Sequence, residues 1–224
     1  MTGKICTLWT EGWFLYNLLN IMTRIKSVIS DLGRVLVDFD NWRFLHRMER
    51  HSPLSAEDMM SRFRDNISVL RQFDMGKISP DGFYRRAVSL LEASVGKDSF
   101  FQYYNDVFSL NPYVLAVLKR LMGRYRLILL SNTDKERYGF VTSKFPEILF
   151  FDSYILSYEV GAVKPDLKIY RKALEAARAE AEECVFIDDL EDNIKAAKNL
   201  GIQTVLLKAD TDIAARLQDI GLLI

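Results

Sequence analysis

Apolar and polar positions change rhythm along this 224-residue chain. Nearly unbroken apolar runs occur at SVIS (27–30), YRLILL (125–130), SYIL (153–156), ECVFI (183–187) and IQTVLL (202–207), the pattern of strands buried on both faces. Between the later runs the apolar positions fall at helical spacing. Val114, Leu115, Leu118, Leu121 and Met122 make one face, Leu167, Tyr170, Ala173, Leu174 and Ala177 a second, and Leu190, Ile194, Ala197 and Leu200 a third. Asn111-Pro112 opens the first helix, and Gly201 closes the last as a left-handed cap. Alternating strand and helix predict an α/β fold with a Rossmann-like parallel sheet core.

Residues 41–107 break that rhythm, with helix signals and no β-rich run. Ala56, Met59, Met60, Phe63, Ile67 and Leu70 predict one helix, and Ser79-Pro80 opens another with Phe83, Ala87, Val88 and Leu91 on its face. The stretch is too long for an ordinary loop. It predicts a small all-helical cap, residues 41–107, inserted into a catalytic core of residues 24–40 and 108–224. Residues 1–23 carry Trp9, Trp13, Phe14, Leu15, Tyr16, Leu18 and Leu19, but Glu11 interrupts them and no cleavage pattern follows. They read as an appended amphipathic extension, with the natural start expected at Met22.

Composition narrows the classes of partner. With 49% hydrophobic and 27% charged residues the chain is a folded protein rather than a disordered one. Thirty basic and thirty acidic residues cancel, so no overall field draws nucleic acid or an anionic membrane, and neither is expected as a partner. Cys6 and Cys184 are far apart and belong to no metal-type cluster, which fits a reducing cytoplasm, and Cys184 is expected to be a buried, inert thiol. A monomer or weak homodimer is expected.

Four strand ends carry polar residues. Asp31 follows SVIS, Ser131, Asn132 and Thr133 follow LILL, Lys164-Pro165 lies after SYILS, and Asp188-Asp189 follows VFI. Each has a structural explanation of its own: a turn for Asp31 and for Lys164-Pro165, a helix cap for Thr133 and for Asp188 or Asp189. Together they converge on the carboxyl edge of a parallel sheet, where α/β proteins place their ligands. Carboxylates gathered near one lysine repel each other unless a hard cation joins them, and such oxygen donors suit Mg²⁺. With the cation and Lys164, a phosphate dianion can approach a carboxylate nucleophile, and Ser131 can donate to a phosphoryl oxygen.

On these residues the chain resembles the haloacid dehalogenase-like hydrolase superfamily. DLGRVLVDFD resembles its first motif, LLSNT the second, Lys164-Pro165 the third and IDDLEDNI the fourth, while FDMGKIS is similar to the cap of a subgroup that includes phosphatases of the α-D-glucose-1-phosphate type. The resemblance implies a Mg²⁺-dependent phosphatase of a small phosphorylated metabolite, such as a sugar phosphate. It makes Asp31 the nucleophile and a metal ligand, with the Gly33 carbonyl and Asp189 as further ligands. Asp188 and Asn193 stand behind them, with Asn193 holding Asp189 in place. Ser131 and Asn132 bind the phosphoryl group, and Lys164 offsets charge on it and on Asp31.

One departure matters. Where most such phosphatases carry a second aspartate that protonates the leaving oxygen and activates water, this chain has Gly33, so general acid–base help worth roughly 10²- to 10⁴-fold lacks an owner. Water, Asp38 or Asp40 are the substitutes at hand, although both aspartates read better as structural. Ser30 replaces a usual large apolar residue, and Arg34 either reaches a second anionic group of the substrate or faces solvent. Arg43, Arg47 and Arg50, with His46 beside them, read as a solvated helix face, and His46 and His51 receive no catalytic role. The rival functions are a hydrolytic haloacid dehalogenase, which attacks carbon without Mg²⁺, and a non-catalytic regulatory protein that keeps the fold.

Overall fold

The computed structural model describes residues 25–224, so the expected extension over residues 1–23 lies outside the described residues. The chain enters through β1 (Ser27–Ser30), turns, and runs on as β2 (Val37–Phe39). Five helices follow: α1 (Asn41–Met48), α2 (Ala56–Asp65), α3 (Ile67–Asp74), α4 (Pro80–Leu90) and α5 (Lys97–Asn105). β3 (Phe108–Leu110) then pairs antiparallel with β2, closing a two-stranded stem under the helical block. The remainder alternates through α6 (Pro112–Arg120), β4 (Arg126–Ser131), α7 (Lys135–Lys144), β5 (Ser153–Leu156), the single turn α8 (Ser157–Val160), α9 (Leu167–Ala177), β6 (Cys184–Asp188), α10 (Glu191–Lys198), β7 (Gln203–Leu206) and α11 (Ile213–Asp219).

The five core strands form one parallel sheet in the order β5-β4-β1-β6-β7. Successive side chains serve opposite faces, as the pleat requires. Val28, Leu129 and Ile187 enter the core shared with the helical block, α6 and α11; Ile29, Ile128 and Phe186 pack beneath α9 and α10. Both faces are covered, which is why the strands read as continuous apolar runs. Ser30 sits fully buried in β1, where its hydroxyl donates to the Asp31 carbonyl at 2.8 Å. Cys184 is buried in β6, and burial pushes its thiol up to about 12, leaving it protonated and inert at neutral pH.

The helical block has an aromatic core of its own. Phe73 and Phe83 stack at 4.2 Å, with Phe44, Phe100 and Tyr104 packed around them. The single helix expected across residues 56–70 is two. Asn66 leaves helical geometry at φ −114°, ψ 31°, and its backbone N–H and its side-chain Nδ2 both donate to the Arg62 carbonyl, at 3.0 and 2.9 Å. That side-chain competition ends α2 and lets α3 start in a new direction. Leu167 and Leu190, expected on buried faces, are instead exposed: Leu167 is the first residue of α9, and Leu190 is the N-cap before α10. Among the described residues no helix is long and apolar enough to cross a membrane.

Candidate active site

Register levels the strand ends. Ser30 lies beside Leu129 of β4 and Ile187 of β6, and the Asp31 N–H extends the ladder by one bond to the Ile187 carbonyl at 2.9 Å. Asp31 and Asp188 therefore end their strands side by side. Lys164, on the loop between α8 and α9, reaches between them. Its Nζ lies 2.7 Å from Asp31 Oδ1 and 2.7 Å from Asp188 Oδ2, and its side chain is 1% exposed. The Leu32 N–H also donates to Asp31 Oδ1, at 2.7 Å, while Oδ2 has no hydrogen-bond partner among the described residues.

Asp188 is saturated with donors: Lys164, the Leu190 N–H at 2.8 Å, and Asn193 Nδ2 at 3.0 and 3.1 Å from its two oxygens. Asn193 thus steadies Asp188 and not Asp189, contrary to the sequence expectation. The helical spacing from Asp189 is irrelevant because Asp189 lies on the loop before α10, while Asp188 ends β6 directly beneath that helix. Tyr170 fixes the same point from α9 by donating to the Asn193 carbonyl at 3.0 Å.

Asp31, Asp188 and Asp189 each offer an oxygen within 4.8 Å of the others. Burial, with Lys164 pulling the other way and Asp188 adding to it, pushes the Asp31 carboxyl up to about 7. Burial and Asp188 also raise Asp189, against Lys164 and Arg34. Burial opposes the charge on Lys164, yet Asp31 and Asp188 raise its pKa. Three acids with one buried ammonium leave negative charge uncompensated, and a hard divalent cation suits such an all-oxygen donor set.

The expected phosphoryl-binding residues divide. Ser131 is buried at the end of β4 and lines a cavity of about 210 Å³ with Gly33, Asn132 and Thr133. Asn132 spends its side chain elsewhere: Oδ1 accepts from the Lys164 N–H at 2.7 Å and Nδ2 donates to the Lys164 carbonyl at 3.0 Å. It pins the lysine's backbone, so its main chain is what remains to face the site. Arg34 is exposed at φ 58°, its guanidinium 4.5 Å over the Phe39 ring. Asp40 caps α1 by accepting from the Trp42 N–H at 3.0 Å, and Asp38 is exposed on β2. Arg43 and Arg50 are exposed, and Arg47 pairs with Asp106 at 3.0 Å.

The sequence model of the haloacid dehalogenase-like hydrolase family matches residues 25–201. The chain belongs to this family. It is 25% identical over 193 residues to the D-ribitol-5-phosphate phosphatase of Bacteroides thetaiotaomicron, covering 80% of this chain and 90% of that one. Glyceraldehyde 3-phosphate phosphatase of Pyrococcus abyssi is 32% identical over 206 residues, 82% of each chain. A HAD family enzyme of B. thetaiotaomicron, solved as its magnesium complex, superposes with a TM-score of 0.76 at 27% identity, covering 87% of this chain and 98% of that one.

In this haloacid dehalogenase-like hydrolase the helical block roofs the site. A cavity of about 530 Å³ runs from Lys164 and Asn193 to Ile67, Leu70 and Arg71 on α3, with Leu190 at its rim. Leu70, Asp74 and Asn132 line both this cavity and the one above Gly33. Leu70, Asn41 and Arg137 connect the latter to an apolar chamber of about 240 Å³ among Phe44, Met60 and Phe63. Sequence reading missed a buried polar cluster here. Tyr104 donates to Asp134 at 3.0 Å, the Arg137 guanidinium lies 3.9 Å from the Tyr104 ring centroid, and Ser157 Oγ lies 2.6 Å from the Asp74 carbonyl and 2.9 Å from that of Thr133. The sequence signal closest to it is FDMGKIS (73–79), which contains Asp74 but carries no mark of the cluster around it.

Proposed function

We propose that this chain is a Mg²⁺-dependent phosphatase of a small phosphorylated metabolite and that Asp31 accepts the phosphoryl group. The observation that carries this reading is Asp31 itself: a buried carboxylate at a strand end, one oxygen fixed by Lys164 and the Leu32 N–H, beside a cluster of two further acids. The phosphatase activities of the relatives support it, and so does the magnesium complex of the HAD family neighbour. Asp31, Asp189 and the Gly33 carbonyl would hold the Mg²⁺, which supplies neutralisation of the phosphoryl charge. Asp188, occupied by its three donors, keeps Lys164 aligned.

A carboxylate oxygen of Asp31 attacks phosphorus and the ester oxygen departs; water then cleaves the acyl phosphate and restores Asp31. Lys164 offsets charge throughout, and the Ser131 hydroxyl donates to a phosphoryl oxygen. The helical block acts as a cap, excluding bulk water, while Ile67, Leu70, Arg71 and Leu190 select the leaving group. A dehalogenase attacking carbon gains little from the Asp188–Asp189 pair.

A screen of phosphate esters with Mg²⁺, wild type against Asp31→Asn, tests the reading. Wild type should release phosphate and form a hydroxylamine-sensitive phosphoenzyme, and the variant should do neither. Halide release without added metal would turn the assignment to a dehalogenase. An inert wild type that forms no phosphoenzyme would favour a regulatory protein.

A further inference from the structure

We infer that Asp74, supplied by the helical block, is the proton donor and acceptor of this site, in place of the acid that Gly33 lacks. The inference rests on the phosphatase reading and assigns the group that reading leaves open.

Geometry is the first support. In an in-line displacement the leaving oxygen lies on the side of phosphorus opposite Asp31, and the attacking water of the second step comes from that same side. The opposite side is the roof. Asp74, the last residue of α3, lies in the wall common to the two cavities that flank Asn132, with Gly33 and Ser131 in one and Lys164 in the other. Its carbonyl is tied to Ser157, but its carboxyl oxygens have no hydrogen-bond or ion-pair partner among the described residues.

Elimination is the second. Asp40 is committed to capping α1, and Asp38 stands exposed on β2 outside the lining of either cavity. Asp134 is fully buried, accepting from the Arg137 N–H at 2.9 Å and from Tyr104. Glu191 and Asp192 line only the larger cavity and are exposed on the first turn of α10.

The surroundings suit both roles. Asp134 and Arg137 face Asp74 from the start of α7 and Tyr104 from α5, while Lys164, Glu191 and Asp192 stand across the larger cavity. Burial, helped by Asp134 and opposed by Arg137, pushes Asp74 up to about 7, so both protonation states are accessible near neutral pH.

In the first step Asp31 forms the new P–O bond, the ester P–O bond breaks with its electron pair on the leaving oxygen, and that oxygen takes the Asp74 proton. In the second, Asp74 carboxylate accepts a proton from water as the water oxygen bonds to phosphorus. The P–O bond to Asp31 then breaks, which regenerates the Asp31 carboxylate and the Asp74 acid.

Proton donation matters for poor leaving groups and little for good ones. The test measures kcat/KM, which reports phosphorylation of Asp31, for alkyl esters (glycerol 3-phosphate, ribitol 5-phosphate) and for 4-nitrophenyl phosphate. Asp74→Asn should lose roughly 10²- to 10⁴-fold on the alkyl esters. It should keep most of its rate on the aryl ester, and lose the fall in alkyl-ester kcat/KM that wild type shows on the alkaline side. Asp74→Glu, which keeps a carboxyl, should recover part of the alkyl-ester rate. Retained aryl-ester turnover also proves that the variant is folded. Equal losses on both ester classes, or none on either, would overturn the Asp74 assignment alone. A wild type that hydrolyses no ester overturns the phosphatase reading and this inference with it.

Discussion

Among the described residues Lys164 is the cation that touches both Asp31 and Asp188, and nothing else neutralises the two strand-end acids directly. Like charges in a dry site cannot both stay ionised. In Lys164→Met, a change of similar length without the charge, Asp31 should take up a proton at neutral pH and lose its nucleophilicity. We expect kcat to fall by roughly 10²- to 10³-fold, the scale of losing one preorganised electrostatic contact. Part of the loss should return as pH is raised. A kcat–pH profile that matches wild type would remove Lys164 from the chemistry. Gly33 has an equally local explanation. A Cβ there would lie 3.2 Å from Phe39 Cε1, and Arg34 stacks on the same ring, so an acid at position 33 needs Phe39 to yield. Phe39 thus crowds the position of the usual proton carrier, and the roof is the other side from which a proton can come.

At the scale of elements, the turn after α3 decides how the helical block meets the core. Gly76 stands at φ +66°, and a Cβ there would overlap the carbonyl oxygen of Tyr158 on α8. The left-handed backbone alone costs an alanine about 1–2 kcal/mol. Gly76→Ala should therefore lower the melting temperature by about 2–8 °C, at about 2–4 °C per kcal/mol for a protein of this size. It should also lower kcat/KM, because Asp74 rides on the same turn. Unchanged melting would show that the contact is dispensable. None of this was legible in the sequence, whereas the sheet was. LILL and VFI read as strands because both faces are buried, and parallel register then brings their polar ends level. Asn66 was opaque because the apolar spacing continues across it while its side chain stops the helix. The partner of Asn193 is Asp188 rather than Asp189, because spacing along a helix says nothing of residues that precede it. Asp74 is invisible for a deeper reason: its neighbours Asp134 and Arg137 come from the start of α7 in the core, and only the folded chain assembles them.

Across the whole molecule, buried acids couple stability to pH. Asp74 and Asp134 are both held above the ordinary 3.8, chiefly by burial, and Asp74 reaches about 7. Such a group binds its proton more tightly folded than unfolded. The stability it contributes is therefore complete below 3.8 and lost as pH rises through about 7. At pH 8 the wild type carries a half-buried Asp74 charge that Arg137 offsets in part. Arg137 is itself imperfectly placed, with Nη2 donating to Asn41 and its buried Nε unpartnered. Asparagine carries no such charge. Asp74→Asn should thus be more stable than wild type at pH 8, with the difference shrinking steadily below about pH 7 and gone only below 3.8. Thermal or urea unfolding without divalent cations, at a series of pH values, measures that gap directly. A variant less stable than wild type at pH 8 would mean that ionised Asp74 is a structural partner of Arg137. It would then be held in place as an anion rather than poised to exchange a proton with the leaving group.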